Sequence, residues 1–221
     1  MIYHILYPYI DEFAILNVVR YLTFRTAYAS LTALMLSLLL GPWVIARLRR
    51  FQIGQYIQAE VPENHHGKVG TPTMGGVLIV ISIFVPTVLW ADLTNLYIWV
   101  ALSSMLLFAA VGFIDDYLKV VHKRSLGLRV RQKLVLQGLI ALAIAGTLIA
   151  LNHYDLYSNG LSVPFFKRFT PEMDLILFGV STFIPLIIFT LLVLIGSSNA
   201  VNLTDGLDGL ASGLVIIAAS A

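Results

Sequence analysis

LILFGVSTFIPLIIFTLLVLIGSSNAVNLT, residues Leu175–Thr204, runs without one Asp, Glu, Lys or Arg. A helix in water puts charge on its solvent face, and this stretch has none to put there. As a continuous helix it would reach about 45 Å, more than the roughly 30 Å of hydrocarbon in a bilayer. It therefore holds one membrane span with residues to spare. Four further stretches lack these four residue types: Thr26–Ala46, Val69–Ala91, Leu93–Ile114 and Leu134–Tyr154. A sixth apolar run starts at Gly209 and reaches Ala221, the last residue, after only 13 residues. The pattern predicts an all-α, polytopic transmembrane helix bundle with five complete spans and a sixth cut short. One transmembrane domain is expected to cover residues 1–221.

Composition agrees. The chain is 58% hydrophobic and 12% charged, where soluble domains hold about 45–50% and about 25%. A soluble domain would lack surface charge, and a disordered chain would lack this hydrophobicity. Zero cysteines exclude disulfide frameworks, thiolate metal sites and cysteine nucleophiles. A net charge of +2 gives no reason to expect a nucleic-acid partner.

Residues 1–22 read as an interfacial segment. Tyr3, Tyr7, Tyr9, Phe13 and Tyr21 mix with Asp11 and Glu12, and no positive charge precedes Arg20, so a secretory signal is not indicated. Arg25, at the mouth of the first span, is expected to snorkel to the interface. Arg47, Arg49, Arg50 and Lys68 fall between spans one and two, and Lys119, Lys123, Arg124, Arg129, Arg131 and Lys133 between spans three and four. Arg20, Arg25, Lys167 and Arg168 fall on the other side. Basic residues stay in the cytoplasm. The ten-residue side is thus cytoplasmic and the N-terminus outside, with Trp90, Tyr97 and Trp99 at the outer interface and Trp43 and Tyr117 at the inner one.

Three polar clusters then share the cytoplasmic side. His65-His-Gly-Lys-Val-Gly-Thr-Pro-Thr-Met-Gly-Gly76 leads into span two; its glycines permit close backbone approach, and Lys68 supplies a point charge for phosphate. Asp115-Asp116 closes span three. Ionisable groups at that depth are costly, and two adjacent carboxylates call for a divalent cation or a raised pKa to relieve their repulsion. Mg²⁺ suits such hard oxygen ligands together with substrate phosphates. Asn199, Asn202, Asp205 and Asp208 recur every third residue around two Asp-Gly pairs, which argues for a turn or broken helix. Carboxamides and carboxylates there suit a nucleoside's hydroxyls and base edge. Lys133 opens span four after Arg129 and Arg131, as a topology determinant or as a phosphate contact. Together the clusters suggest Mg²⁺-assisted phosphoryl chemistry at the membrane surface with a lipid as one substrate.

At these motifs the sequence resembles the phospho-N-acetylmuramoyl-pentapeptide transferases. The resemblance is carried by Gly70-Thr-Pro-Thr-Met-Gly-Gly76, Gly112-Phe-Ile-Asp-Asp-Tyr117 and Asn199-Ala-Val-Asn-Leu-Thr-Asp-Gly-Leu-Asp-Gly-Leu210, with Tyr21-Leu-Thr-Phe-Arg25 and Val163-Pro-Phe-Phe-Lys167 in support. It implies an enzyme of the bacterial cytoplasmic membrane, in peptidoglycan synthesis, that transfers phospho-MurNAc-pentapeptide from UDP-MurNAc-pentapeptide to undecaprenyl phosphate with Mg²⁺, giving lipid I and UMP. It implies catalytic roles for Asp115, Asp116 and Lys68, the first two also as Mg²⁺ ligands. Substrate binding would fall to Thr73, Asn199, Asn202, Asp205, Gly206, Asp208 and Lys133. The implied partners are both substrates and the bilayer, with a homodimer left open.

The family it resembles has ten spans, a third essential aspartate and a histidine-rich motif in later loops, and these 221 residues contain neither. Two other readings stay open: a related UDP-GlcNAc:polyprenyl-phosphate transferase, and a proton-coupled transporter with the aspartates as proton sites. Transport sites lie near the bilayer midplane, which disfavours the second. The 221-residue chain by itself is expected to bind Mg²⁺ weakly and not to turn over. Lipid I synthesis by that purified chain would contradict this.

Overall fold

The computed structural model describes residues 1–51, 74–122, 127–163, 166, 168–177, 180–204 and 210–220. The helices are α1 (Ile2–Leu6), α2 (Leu22–Phe51), α3 (Gly76–Trp90), α4 (Leu96–His122), α5 (Val130–His153), α6 (Ile184–Thr204) and α7 (Leu210–Ser220). Tight 3₁₀ turns occupy Tyr7–Tyr9 and Ala14–Arg20, and two short strands, β1 (Leu175–Leu177) and β2 (Val180–Thr182), pair antiparallel. Within α2 the segment Leu22–Leu48, and α4, α5 and α6 over their full lengths, are long and apolar enough to cross a membrane. The 15-residue α3 is the described part of the expected second span. Leu38, Leu39 and Trp43 are about two-thirds exposed or more, a surface that suits lipid and not water. The chain is an all-α polytopic membrane protein.

The long stretch Leu175–Thr204 divides its residues as its length demanded. Leu175–Leu177 and Val180–Thr182 pair as the antiparallel strands of the β1–β2 hairpin, with Leu175 opposite Thr182, and the span itself is the 21-residue α6. This hairpin is a local departure from an all-helical reading. α6 ends at Thr204 and α7 starts at Leu210; the two Asp-Gly pairs between them, expected to form a turn or broken helix, lie outside the described residues.

The chain forms two compact units, Met1–Lys133 and Leu134–Ala221. In the first, α2 and α3 pack antiparallel through small and polar contacts at three levels. Trp90 Nε1 donates to Thr32 Oγ1 at 3.1 Å, Ser37 Oγ donates to Ser82 Oγ at 3.0 Å, and Gly41 lies against Leu78. Small residues let membrane helices approach closely, and paired hydroxyls satisfy each other where water is absent. Trp90 also meets the Phe24 and Tyr28 rings.

The N-terminal segment is not one continuous helix. It is α1 and two 3₁₀ turns, bound to the end of α3 and the turn that follows. The terminal amine donates to Val88 O at 2.6 Å and Leu89 O at 3.1 Å, carbonyls that the helix end leaves unpaired. His4 Nε2 accepts from Leu93 N–H at 2.9 Å. Arg25 lays its guanidinium over Tyr3, 4.4 Å from the ring centroid. Ile10 and Val19 are buried in this segment.

Loop chemistry sets the helix ends. Asn95 Oδ1 accepts from Tyr97 N–H at 2.9 Å and so N-caps α4. Gln132 Oε1 reaches back to Arg129 N–H at 3.2 Å, half of a capping box for α5. At the far end of α5, Asp155 takes a left-handed conformation (φ 56°), with Leu156 N–H bonded to Leu151 O and Asp155 N–H to Asn152 O. That is the Schellman closure, with Asp where Gly is commoner. Asp92 turns the chain between α3 and α4. The Thr94 hydroxyl donates to it at 2.7 Å and, outweighing partial desolvation, holds its carboxyl below the usual range.

Asn95→Ala is expected to cost about 1 kcal/mol of unfolding stability in detergent. The difference between wild type and Asp92→Ala should be full at neutral pH and fade as pH falls through the depressed Asp92 value, because a lowered folded pKa contributes only while the group stays ionised. Thermal unfolding between pH 7 and pH 3 measures both; a difference that grows on acidification contradicts the turn assignment.

Candidate functional site

Asp115 and Asp116 lie on the last two turns of α4, where the apolar helix meets its first charges. The sequence predicts that a divalent cation or a raised pKa relieves their repulsion. Within this unit the relief comes from Lys119, whose Nζ lies 2.8 Å from Asp115 Oδ2 and 2.9 Å from Asp116 Oδ1. The spacings i,i+4 and i,i+3 put all three on one helix face, carboxylates N-terminal to the lysine, the favourable order along a helix.

The two aspartates are not equivalent. The Asp115 side chain is 12% exposed, and both its oxygens are engaged, Oδ2 by Lys119 and Oδ1 by Leu128 N–H at 2.8 Å. Asp116 is 32% exposed. Leu128 belongs to the loop entering α5, so Asp115 fastens that loop to the end of α4. Lys133, the predicted basic residue of α5, also acts electrostatically on Asp115. Three predicted residues, Asp115, Asp116 and Lys133, therefore belong to one cluster. Lys119 was counted among the topology-setting charges, and its spacing carried the signal of its further role. Leu128 donates through its backbone, for which no side-chain signal exists.

Gly127 makes the clamp possible. A Cβ there would lie 2.5 Å from both the backbone oxygen and Oδ1 of Asp115, a distance real side chains do not tolerate. Glycine is required by close approach.

In the second unit Asn199 and Asn202 lie on the last two turns of α6. Asn199 Nδ2 donates to Gln137 Oε1 at 2.7 Å and to Ile195 O at 2.8 Å. Asn202 is exposed on the same helix. Lys68, Thr73, Asp205, Gly206 and Asp208 lie outside the described residues. Met74, next to Thr73, has a φ of 70°, a left-handed conformation costly for a methionine. Such strain clusters at functional sites, and it falls in the Thr-Pro-Thr-Met-Gly-Gly motif.

Among the described residues no group of three or more His, Asp or Glu side chains converges as a metal cage. Two adjacent carboxylates fit the part of a Mg²⁺ shell a protein commonly supplies, the rest coming from water and substrate phosphates. Asp116 is the better placed, since Asp115 would have to release Lys119 or Leu128.

Gly127→Ala is expected to lower unfolding stability by about 1–3 kcal/mol, the cost of leaving a buried acceptor unpaired. Gly112→Ala on the same helix as the aspartates meets nothing within 4 Å among the described residues and should be neutral or slightly stabilising. Equal effects in thermal unfolding would refute the clamp.

Residues 98–221 match the family model described as glycosyl transferase family 4, and residues 68–80 match signature 1 of the phospho-N-acetylmuramoyl-pentapeptide-transferases. A protein of Koribacter versatilis with that transferase name is 50% identical over 100% of this chain and 61% of its own length. Relatives of the same name from Desulforapulum autotrophicum (52% identical; 99% of this chain, 57% of the relative) and Acidobacterium capsulatum (53%; 100% and 59%) are similar. The chain thus spans about 60% of the length of these relatives. With the signature at 68–80 and the model match through Asp115, Asp116 and Asn199, the chain belongs to glycosyl transferase family 4.

Proposed function

We propose that this chain is part of a phospho-N-acetylmuramoyl-pentapeptide transferase. The reaction is attack by an undecaprenyl phosphate oxygen on the sugar-linked phosphorus of UDP-MurNAc-pentapeptide. The new P–O bond gives lipid I, the old one breaks, and its electrons leave with UMP. The observation that carries the reading is the Asp115–Asp116–Lys119 cluster at the end of a membrane helix, in a chain half identical to transferases of that name. A cluster at a span's end meets a lipid phosphate at the headgroup layer, where a midplane transport site would not. The excess of ten basic residues on this side supports a cytoplasmic placement of this end, in the inner membrane of a bacterium.

Each residue then has a task. Asp116, the more exposed carboxylate, accepts the proton of the lipid phosphate or lends an oxygen to the metal. Asp115 holds the loop that leads into α5, whose Lys133 binds the anionic substrates. Lys68 and Thr73 bind the diphosphate, and Asn199, Asn202, Asp205, Gly206 and Asp208 bind the uridine moiety. Mg²⁺, when bound, neutralises charge on the diphosphate. Direct attack is preferred over an aspartyl-phosphate intermediate because Lys119 occupies both carboxylates, which lowers their nucleophilicity. A homodimer is compatible with this reading.

The test uses a protein of the relatives' full length that contains this chain, reconstituted with both substrates. UMP release should require both and stop on chelation of Mg²⁺, and Asp116→Asn should lower kcat at least about a hundredfold. Turnover of UDP-GlcNAc in place of UDP-MurNAc-pentapeptide would reassign the donor. Vesicle uptake without UMP release would overturn the transferase reading.

A further inference from the structure

Gln137 is the anomaly of α5. The helix crosses the membrane, yet this carboxamide is 1% exposed and heads the face that buries Ala141, Ile144 and Ala145. Leucine or methionine would pack in the same volume with no polar group to satisfy. Polar side chains inside spans are retained where they hydrogen-bond across helices and fix geometry.

Both ends of the amide are used, and both reach α6. Nε2 donates to Ser198 Oγ at 3.2 Å, and Oε1 accepts from Asn199 Nδ2 at 2.7 Å. The second hydrogen of Asn199 Nδ2 goes to Ile195 O at 2.8 Å. With both hydrogens placed on acceptors, the Asn199 carboxamide has one orientation. A flip would set Oδ1 against two other oxygens. Its Oδ1 is thereby aimed away from Gln137 as a fixed acceptor. Asn199 is also the first residue of the polar motif that runs to Asp208.

We propose that Gln137 is a positioning residue for nucleotide-sugar recognition: it locks Asn199 so that Oδ1 accepts from a donor group, a hydroxyl or imide N–H, of the uridine-containing substrate. This rests on the reading of the Asn199–Asp208 motif as the nucleoside site. Preorganising an acceptor acts on substrate binding and leaves the chemical step alone. Gln137 itself touches no substrate.

The test uses Gln137→Met, which keeps the volume and removes the amide, in a protein of the relatives' length containing this chain. KM for UDP-MurNAc-pentapeptide should rise about tenfold, the worth of one oriented hydrogen bond. The kcat and the KM for undecaprenyl phosphate should stay within about twofold. Asn199→Ala should raise the same KM, and adding Gln137→Met to it should raise it no further. Ser198→Ala, which frees one end of the amide, should give a smaller rise of the same kind. If Gln137→Met does not fold, Ser198→Ala decides, and an unchanged KM there overturns the proposal. So does a Gln137→Met effect shared by both substrates, or one fully additive with Asn199→Ala. If Asn199→Ala itself leaves the nucleotide KM unchanged, the nucleoside-site reading fails first, and the proposal with it.

Discussion

Hydrocarbon offers no hydrogen bonds, so each polar group carried into a span needs a protein partner or costs several kcal/mol. Several polar side chains along these helices meet that constraint in pairs. Trp90 pairs with Thr32 and Ser37 with Ser82 across α2 and α3. Gln137 pairs with Ser198 and Asn199 across α5 and α6. At the end of α4, two carboxylates share Lys119, and one also takes a loop amide. The apolar surface defines where the chain lives, while these few pairs define how its helices are placed.

The same constraint gives Asp115 and Asp116 different work. A carboxylate with both oxygens occupied is a fastening, and its neighbour with more exposure is the one a substrate can meet. Gly127 belongs to the fastening because only a residue without Cβ lets the loop come so close. The site thus rests on a helix, a lysine one turn on, and a loop that, among the described residues, contributes a backbone amide.

Much of this was legible in residue order. Charge-free stretches located the spans because hydrocarbon excludes charge from any sequence that crosses it. The excess length of Leu175–Thr204 signalled that something other than the span had to be there, but a β1–β2 hairpin of apolar residues has no periodicity to separate it from the helix that follows. Asp115, Asp116 and Lys133 stood out because ionisable groups are scarce near spans. Gln137 did not, since one carboxamide in an apolar helix carries no motif, and its meaning lies in a partner more than 60 residues away. The Leu128 contact was beyond reading for a different reason: a backbone amide has no residue type.

The central claim is that Asp115 ties the loop before α5 to the end of α4 through the Leu128 amide. Residue-resolved hydrogen exchange at Leu128 tests it most directly, because exchange requires that one bond to open. Slow exchange at Leu128 in the wild type, becoming fast in Asp115→Ala, is the predicted result. Equally fast exchange in both would contradict it.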